Sequence, residues 1–209
     1  MATYLFDFDG TLVDSMDTYV GVMLSILDKN GIKYGDDIVK IITPLGYLGT
    51  AKYFKKLGVK ESVDGMLEKM RENMVHEYTY NIGEKPNVTK ALNAMKARGD
   101  SLNVLTASPH ATLDPCLKRL GLFNLFDNVW SCDDFNTTKA DPEIYKMAAE
   151  KIGEGVERII FLDDNLGAVS TAKQAGMRVF GVYDKSSEEY TAEMKAISER
   201  YISDFAELI

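Results

Sequence analysis

The sequence predicts an α/β fold: a parallel sheet flanked by helices, with one smaller all-helical unit inserted. Three observations predict it. A short apolar, aromatic run opens the chain at residues 2–8, and from Asn87 onward similar runs alternate with stretches of helical spacing. Between them, from Ser15 to about Asn81, lie several helical patterns and no strand pattern. Strands separated by helices imply right-handed crossovers and parallel neighbours.

Ala2 to Phe8 reads as a buried strand. Residues two apart share a strand face, which puts Asp7 and Asp9 on one side and Phe6 and Phe8 on the other. Gly10 then lets the chain turn away. Met16 to Asn30 carries Tyr19, Val20, Met23, Ile26 and Leu27 at helical spacing, and Gly31 stops it. Asp36 to Ile42 is a short helix, and Thr43-Pro44-Leu45-Gly46 is a break. Tyr47 to Leu57 is a helix ending at Gly58, and Ser62 to Tyr78 a longer one. Met66, Met70 and Met74 read as core filler of a small bundle, and Lys52, Lys55 and Lys56 suit substrate selection and solvated helix faces equally.

After this stretch the alternation begins. Asn87–Arg98 is a helix and Leu102–Thr106 a buried strand. Ser108-Pro109 reads as a helix start, with Ser108 the cap, and that helix runs to about Leu120. Asn128–Ser131 is a strand, Pro142–Ile152 a helix, Arg158–Leu162 a strand and Leu166–Ala175 a helix ending at Gly176. Arg178–Val182 is a strand, Ser186 to about Glu199 a last long helix, and Tyr201-Ile202 a short tail strand. Residues 1–14 and 83–209 are thus expected to form a catalytic core, and 15–82 a helical cap hinged near Leu12–Asp14 and Ile82–Lys85. An insertion directly after the first strand stands over the carboxyl ends of the strands, where such sheets bind ligands.

The 209 residues include 24 basic and 32 acidic ones, a net charge of -8. That makes a poor electrostatic partner for nucleic acid or an anionic membrane. An apolar share of 45% is ample for a core. Cys116 and Cys132 lie apart with no zinc-like spacing, so free core thiols are expected. No secretory or membrane-spanning pattern is seen, and the expected location is cytoplasmic. His76 and His110 are isolated and read as structural or exposed.

The chemistry gathers at the strand ends. The first strand delivers Asp7 and Asp9, the next Thr106, then Ala107 and Ser108, and the one ending Phe161-Leu162 delivers Asp163 and Asp164. Taken singly, each has a plain structural reading as a cap or a satisfied loop group. Together they place up to four negative charges at one sheet edge. At about 4 Å and an effective dielectric of 20, each like pair costs about 4 kcal/mol. A hard divalent cation answers this, and Mg²⁺ suits a few carboxylates plus waters and a phosphate. A carboxyl that keeps its proton relieves it further.

The run from Asp7 to Ser15, Asp-Phe-Asp-Gly-Thr-Leu-Val-Asp-Ser, resembles the first motif of the haloacid dehalogenase-like hydrolases. Thr106 maps onto their second motif. Lys139, in Thr-Lys-Ala-Asp-Pro-Glu-Ile-Tyr, matches the third, with Ala140 where Pro is frequent. Phe161 to Asn165, continued by Ala172 to Gly176, looks like the fourth, with Ala168 where many members carry another Asp. The motifs stand in the expected order over essentially the whole chain.

The resemblance implies a Rossmann-like core with a helical cap, in the phosphoglycolate phosphatase-like branch. It implies a Mg²⁺-dependent phosphatase acting on a small phosphorylated metabolite. Asp7 is then the nucleophile that becomes phosphorylated, and Asp9 the general acid and base. Mg²⁺ would sit among Asp7, the Asp9 main-chain carbonyl and Asp164, with Asp163 beside it. Thr106, Ala107, Gly10 and Lys139 would hold the phosphate. Asp9 favours phosphate esters over halides, since a halide leaves without a proton. Two other readings stay open at this point: a phosphosugar mutase of the same fold, and a phospho-accepting receiver-like signalling domain.

Overall fold

Strands buried on both faces need apolar residues at nearly every position, and the apolar runs of this chain meet that need. β1 (Thr3–Phe6), β2 (Ser101–Thr106), β3 (Asn128–Ser131), β4 (Ile159–Asp163), β5 (Arg178–Val182) and β6 (Arg200–Ile202) form one all-parallel sheet of six strands, in the order β3-β2-β1-β4-β5-β6. β1 and β4, adjacent at its centre, are buried throughout. A receiver-like domain would have the order 2-1-3-4-5; the observed order excludes it. A computed structural model describes residues 1–209, the side chain of Pro44 excepted.

The chain divides into two compact units, Met1–Asp14 with Ile82–Ile209, and Ser15–Asn81. The second is all-helical: α1 (Met16–Lys29), α2 (Ile38–Ile42), α3 (Gly46–Lys56) and α4 (Val63–Tyr80), with a 3-10 turn at Thr43–Leu45. Met23, Ile26, Leu27, Phe54, Met66 and Met70 fill its interior. Ser62 caps α4 by accepting the Gly65 amide.

The first unit adds α5 (Val88–Ala97), α6 (His110–Arg119), α7 (Glu143–Ile152), α8 (Leu166–Ala175) and α9 (Thr191–Ile197) to the sheet. Leu5, Phe161 and Val179 pack on one face with Ile144, Tyr145, Val169 and Met194 of α7, α8 and α9. Phe6 sits among Tyr4, Phe126 and Phe205, on the opposite face from Leu5 by strand alternation. Among the described residues no helix is long and apolar enough to cross a membrane. Both cysteines are buried free thiols.

Three local expectations need correction. The first strand ends at Phe6, not Phe8. The Asp7 amide still reaches the Leu162 carbonyl at 2.8 Å, but the Phe8 carbonyl then accepts the Leu12 and Val13 amides. A tight turn captures the chain before Phe8 and Asp9 can pair across the sheet, so Asp7 and Asp9 do not share one strand face. Secondly, Ser108 does not cap α6. The N-cap is Pro109, and no side chain caps the amides of that helix end.

Thirdly, the last long helix is split, with a 3-10 stretch over Lys185–Tyr190 before α9. The Asp184 carboxylate accepts both the amide and the hydroxyl of Ser186, and the Ser187 hydroxyl bonds the Asp184 carbonyl. Such side-chain bonds compete with the α-helical ladder.

Candidate active site

In a doubly wound sheet, ligands bind at the carboxyl edge where the strand order reverses. Here that point lies between β1 and β4, which run side by side with Phe6 level with Leu162. One residue further on stand Asp7, just past the end of β1, and Asp163, the last residue of β4. Asp164 follows. Ligand oxygens of Asp7, Asp163 and Asp164 all lie within 4.8 Å of one another. The three residues are 4%, 0% and 6% exposed.

Lys139 enters this cluster from the loop before α7. Its ammonium donates to Asp7 Oδ1 at 2.5 Å and to Asp163 Oδ2 at 2.7 Å. Tyr145, on α7, donates its hydroxyl to the Lys139 carbonyl and fixes that loop. The other Asp163 oxygen, Oδ1, accepts the Asn165 amide at 2.7 Å. Both oxygens of Asp163 are therefore occupied by the protein. Asp164 has a lighter hold, a 3.4 Å contact from the Thr11 hydroxyl to Oδ1.

Burial and the neighbouring Asp163 push Asp7 well above the usual carboxylate range. The same two causes lift Asp164 to about 8. Asp163 and Asp7 hold the Lys139 ammonium well above its ordinary value against the cost of burial. One bound ammonium does not neutralise three buried carboxylates. The set of hard oxygen donors and the uncompensated negative charge fit a small divalent cation.

Gly10 forms one wall of the cluster. It has φ +73°, and a Cβ built on it would lie 2.7 Å from the Asp164 carboxyl carbon. Only glycine permits both the backbone conformation and the close approach. Asp9 is not one of the three mutually close carboxylates, though its charge acts on Asp7, and its Oδ2 accepts the Ser108 hydroxyl at 2.6 Å. Thr106 ends β2, is 1% exposed and accepts the Ser108 amide on its Oγ1 at 3.0 Å. Ala107 lies between them in sequence.

The bonds of three residues escaped the sequence reading. Lys85 donates to the Gly10 carbonyl at 2.8 Å, the Tyr183 carbonyl at 2.9 Å and Asp184 Oδ2 at 2.6 Å. Asp184 is itself buried, and Lys85 holds its carboxyl below the usual range against burial. An acid two residues past an apolar strand was the available signal for Asp184. His110, read as isolated, bonds Asp114 at 2.8 Å and Asp134 at 2.9 Å.

A family model described as haloacid dehalogenase-like hydrolase matches residues 4–182. A phosphorylated carbohydrates phosphatase of Thermotoga maritima is 27% identical over 184 residues, covering 87% of this chain and 85% of the relative. The pyrophosphatase PpaX of Bacillus velezensis is 29% identical over 179 residues, covering 85% and 81%. The crystal structure of a hydrolase from Deinococcus radiodurans, with bound phosphate and sodium, matches with a TM-score of 0.80 at 21% identity. It covers 100% of this chain and 93% of the other, and at that identity it speaks to the fold alone.

Proposed function

We propose, from the premise that the chain belongs to the haloacid dehalogenase-like hydrolase family, that it hydrolyses a small phosphate monoester through a phosphorylated Asp7. The observation that carries this reading is the Lys139 ammonium bridging Asp7 and Asp163 inside a buried carboxylate cluster. The relatives' names support the phosphatase class and make phosphorylated sugars the first substrates to try, with pyrophosphate second.

Asp7 attacks phosphorus. Lys139 steers the Asp7 carboxylate and offers its charge to the phosphoryl oxygens. Thr106 accepts the Ser108 amide on its oxygen, which leaves its own proton to donate to a phosphoryl oxygen. The Ala107 and Gly10 backbone completes the cradle. Asp9 gives a proton to the leaving alcohol, then takes one from the water that attacks the phosphorylated enzyme. Asp7, Asp164 and the Asp9 main-chain carbonyl would hold Mg²⁺, with Asp163 beside them anchoring Lys139. Mg²⁺, when bound, supplies positive charge that draws nucleophile and phosphate together. We assign the helical unit at 15–81 the part of a cap that excludes water and selects the leaving group.

The test is phosphate release from a panel of sugar phosphates, p-nitrophenyl phosphate and pyrophosphate, with and without Mg²⁺. Turnover is expected with Mg²⁺, and loss of it in Asp7→Asn. Conversion of a sugar phosphate into its isomer without phosphate release would favour a mutase. Full phosphate release by Asp7→Asn would end the reading.

A further inference from the structure

We propose that Ser108 is a positioning residue for Asp9, fixing the carboxyl that passes a proton to the leaving group and recovers it from water. The inference rests on the phosphatase reading above and adds a residue to it.

The geometry separates the two aspartates of the first motif by the kind of partner each meets. Asp7 is held by an ammonium, Lys139 Nζ, at 2.5 Å. Asp9 accepts a neutral hydroxyl, Ser108 Oγ, at 2.6 Å across 99 positions of sequence. An ammonium favours the ionised carboxylate, which suits a nucleophile. A hydroxyl can donate to a carboxylate or to the carbonyl oxygen of a carboxylic acid. It therefore fixes the place of the Asp9 carboxyl without setting a charge beside it.

The Ser108 backbone is built for this. Its amide is clamped to Thr106 Oγ1 at 3.0 Å. The next residue is Pro109, with φ -71° and ψ 155°, and a proline disfavours the helical region for the residue before it. Ser108 is thus kept out of α6, whose end takes no side-chain cap. The hydroxyl is directed to Asp9 instead of its own helix.

The steps balance. In the first, an Asp7 oxygen bonds phosphorus and the bond from phosphorus to the ester oxygen breaks. Its electron pair goes to that oxygen, which takes the Asp9 proton and leaves as the alcohol. In the second, water attacks phosphorus, its proton goes to Asp9, and Asp7 is released as carboxylate with inorganic phosphate.

The test compares kcat/KM of wild type, Ser108→Ala and Ser108→Thr with Mg²⁺, over esters from p-nitrophenyl phosphate to alkyl phosphates. This constant reports steps up to release of the alcohol. A p-nitrophenolate leaves without a proton, whereas an alkoxide does not. Ser108→Ala should lose about tenfold or more on the alkyl esters and less than about threefold on p-nitrophenyl phosphate. Ser108→Thr, which keeps the hydroxyl, should restore the alkyl esters. An equal loss across the series overturns the proposal, since it marks a phosphate-binding or structural role. Circular dichroism melts check each variant. If Ser108→Ala does not fold, Ser108→Cys, a weak donor of similar size, is held to the same pattern. A wild type that releases no phosphate from any ester, or an active Asp7→Asn, sinks the phosphatase reading itself and takes this inference with it. A uniform loss in an active enzyme sinks only the part given to Ser108.

Discussion

A methyl group on Gly10 would sit 2.7 Å from the carboxyl carbon of Asp164 and within 2.8 Å of both its oxygens. Real atoms do not approach so closely, so either the turn or the carboxylate has to move. The backbone there, φ +73°, also costs an L-residue about 1–2 kcal/mol. Gly10→Ala is therefore expected to lose about that much stability. It should also lose about 10²-fold in kcat/KM, the usual effect of displacing a catalytic group by an ångström. Urea denaturation and initial rates measure the two separately, and an unchanged rate would show that Asp164 tolerates displacement. The Asp-x-Asp-Gly run carried this much on its own: carboxylates at a strand end and a glycine beyond them. It could not reveal that the two carboxylates part company, one to Lys139 and the other to Ser108, since each partner lies on a distant element.

At the scale of elements, the sheet edge is tied by ion pairs that bridge segments far apart in the chain. Lys85 joins the turn after β1 to the end of β5 through the Gly10 and Tyr183 carbonyls and Asp184. Its side chain is 13% exposed and that of Asp184 5%. Removing the cation alone strands a buried carboxylate, so Lys85→Met should cost about 3–5 kcal/mol, and adding Asp184→Leu should recover much of it. A double-mutant cycle by urea denaturation reads this directly; a double variant no better than the single would deny the pairing. His110 ties α6 to the residues after β3 through Asp134, and to its own helix through Asp114. Both bonds raise its pKa above the ordinary imidazole value. The protonated form is thus favoured in the folded state. Its contribution is complete below about pH 6.5 and is lost as pH rises through the folded-state value. The side chain is 43% exposed, so the effect is at most about 1 kcal/mol. The stability gap between wild type and His110→Gln should narrow from pH 6 to pH 9 in melting curves. Strands and helices were readable from periodicity because burial imposes it. Lys85, Asp184 and His110 were not, because a charged residue's partner is set by the sheet order, which no local pattern encodes.

The molecule as a whole is a sheet unit interrupted once by a helical one, and the interruption is closed off within the sheet unit itself. The Asp14 amide donates to the Gly83 carbonyl and the Lys85 amide to the Leu12 carbonyl, both at 3.0 Å, and Val13 bridges antiparallel to Glu84. The outgoing and returning chains are hydrogen-bonded neighbours, much as the two arms of a hairpin are. Closing such a gap needs only a short turn, and a short closure costs less loop entropy than a long one. Apolar residues fill the helical unit's interior, and Leu5, Phe161 and Val179 belong to a separate core with α7, α8 and α9. The alternation of the sequence from Asn87 onward made this division readable, since helices without strands cannot extend a parallel sheet. A chain in which residues 15–81 are replaced by an Asn-Gly turn is therefore expected to fold cooperatively, with the carboxylate cluster intact. If the helical unit selects the leaving group, as proposed, this shortened protein should still release phosphate from p-nitrophenyl phosphate with Mg²⁺. Its kcat/KM values for different sugar phosphates should converge to within about tenfold of one another. Cooperative melting followed by the same ester panel decides it: a folded short chain that keeps the full chain's ranking of esters would place selectivity in the sheet unit instead.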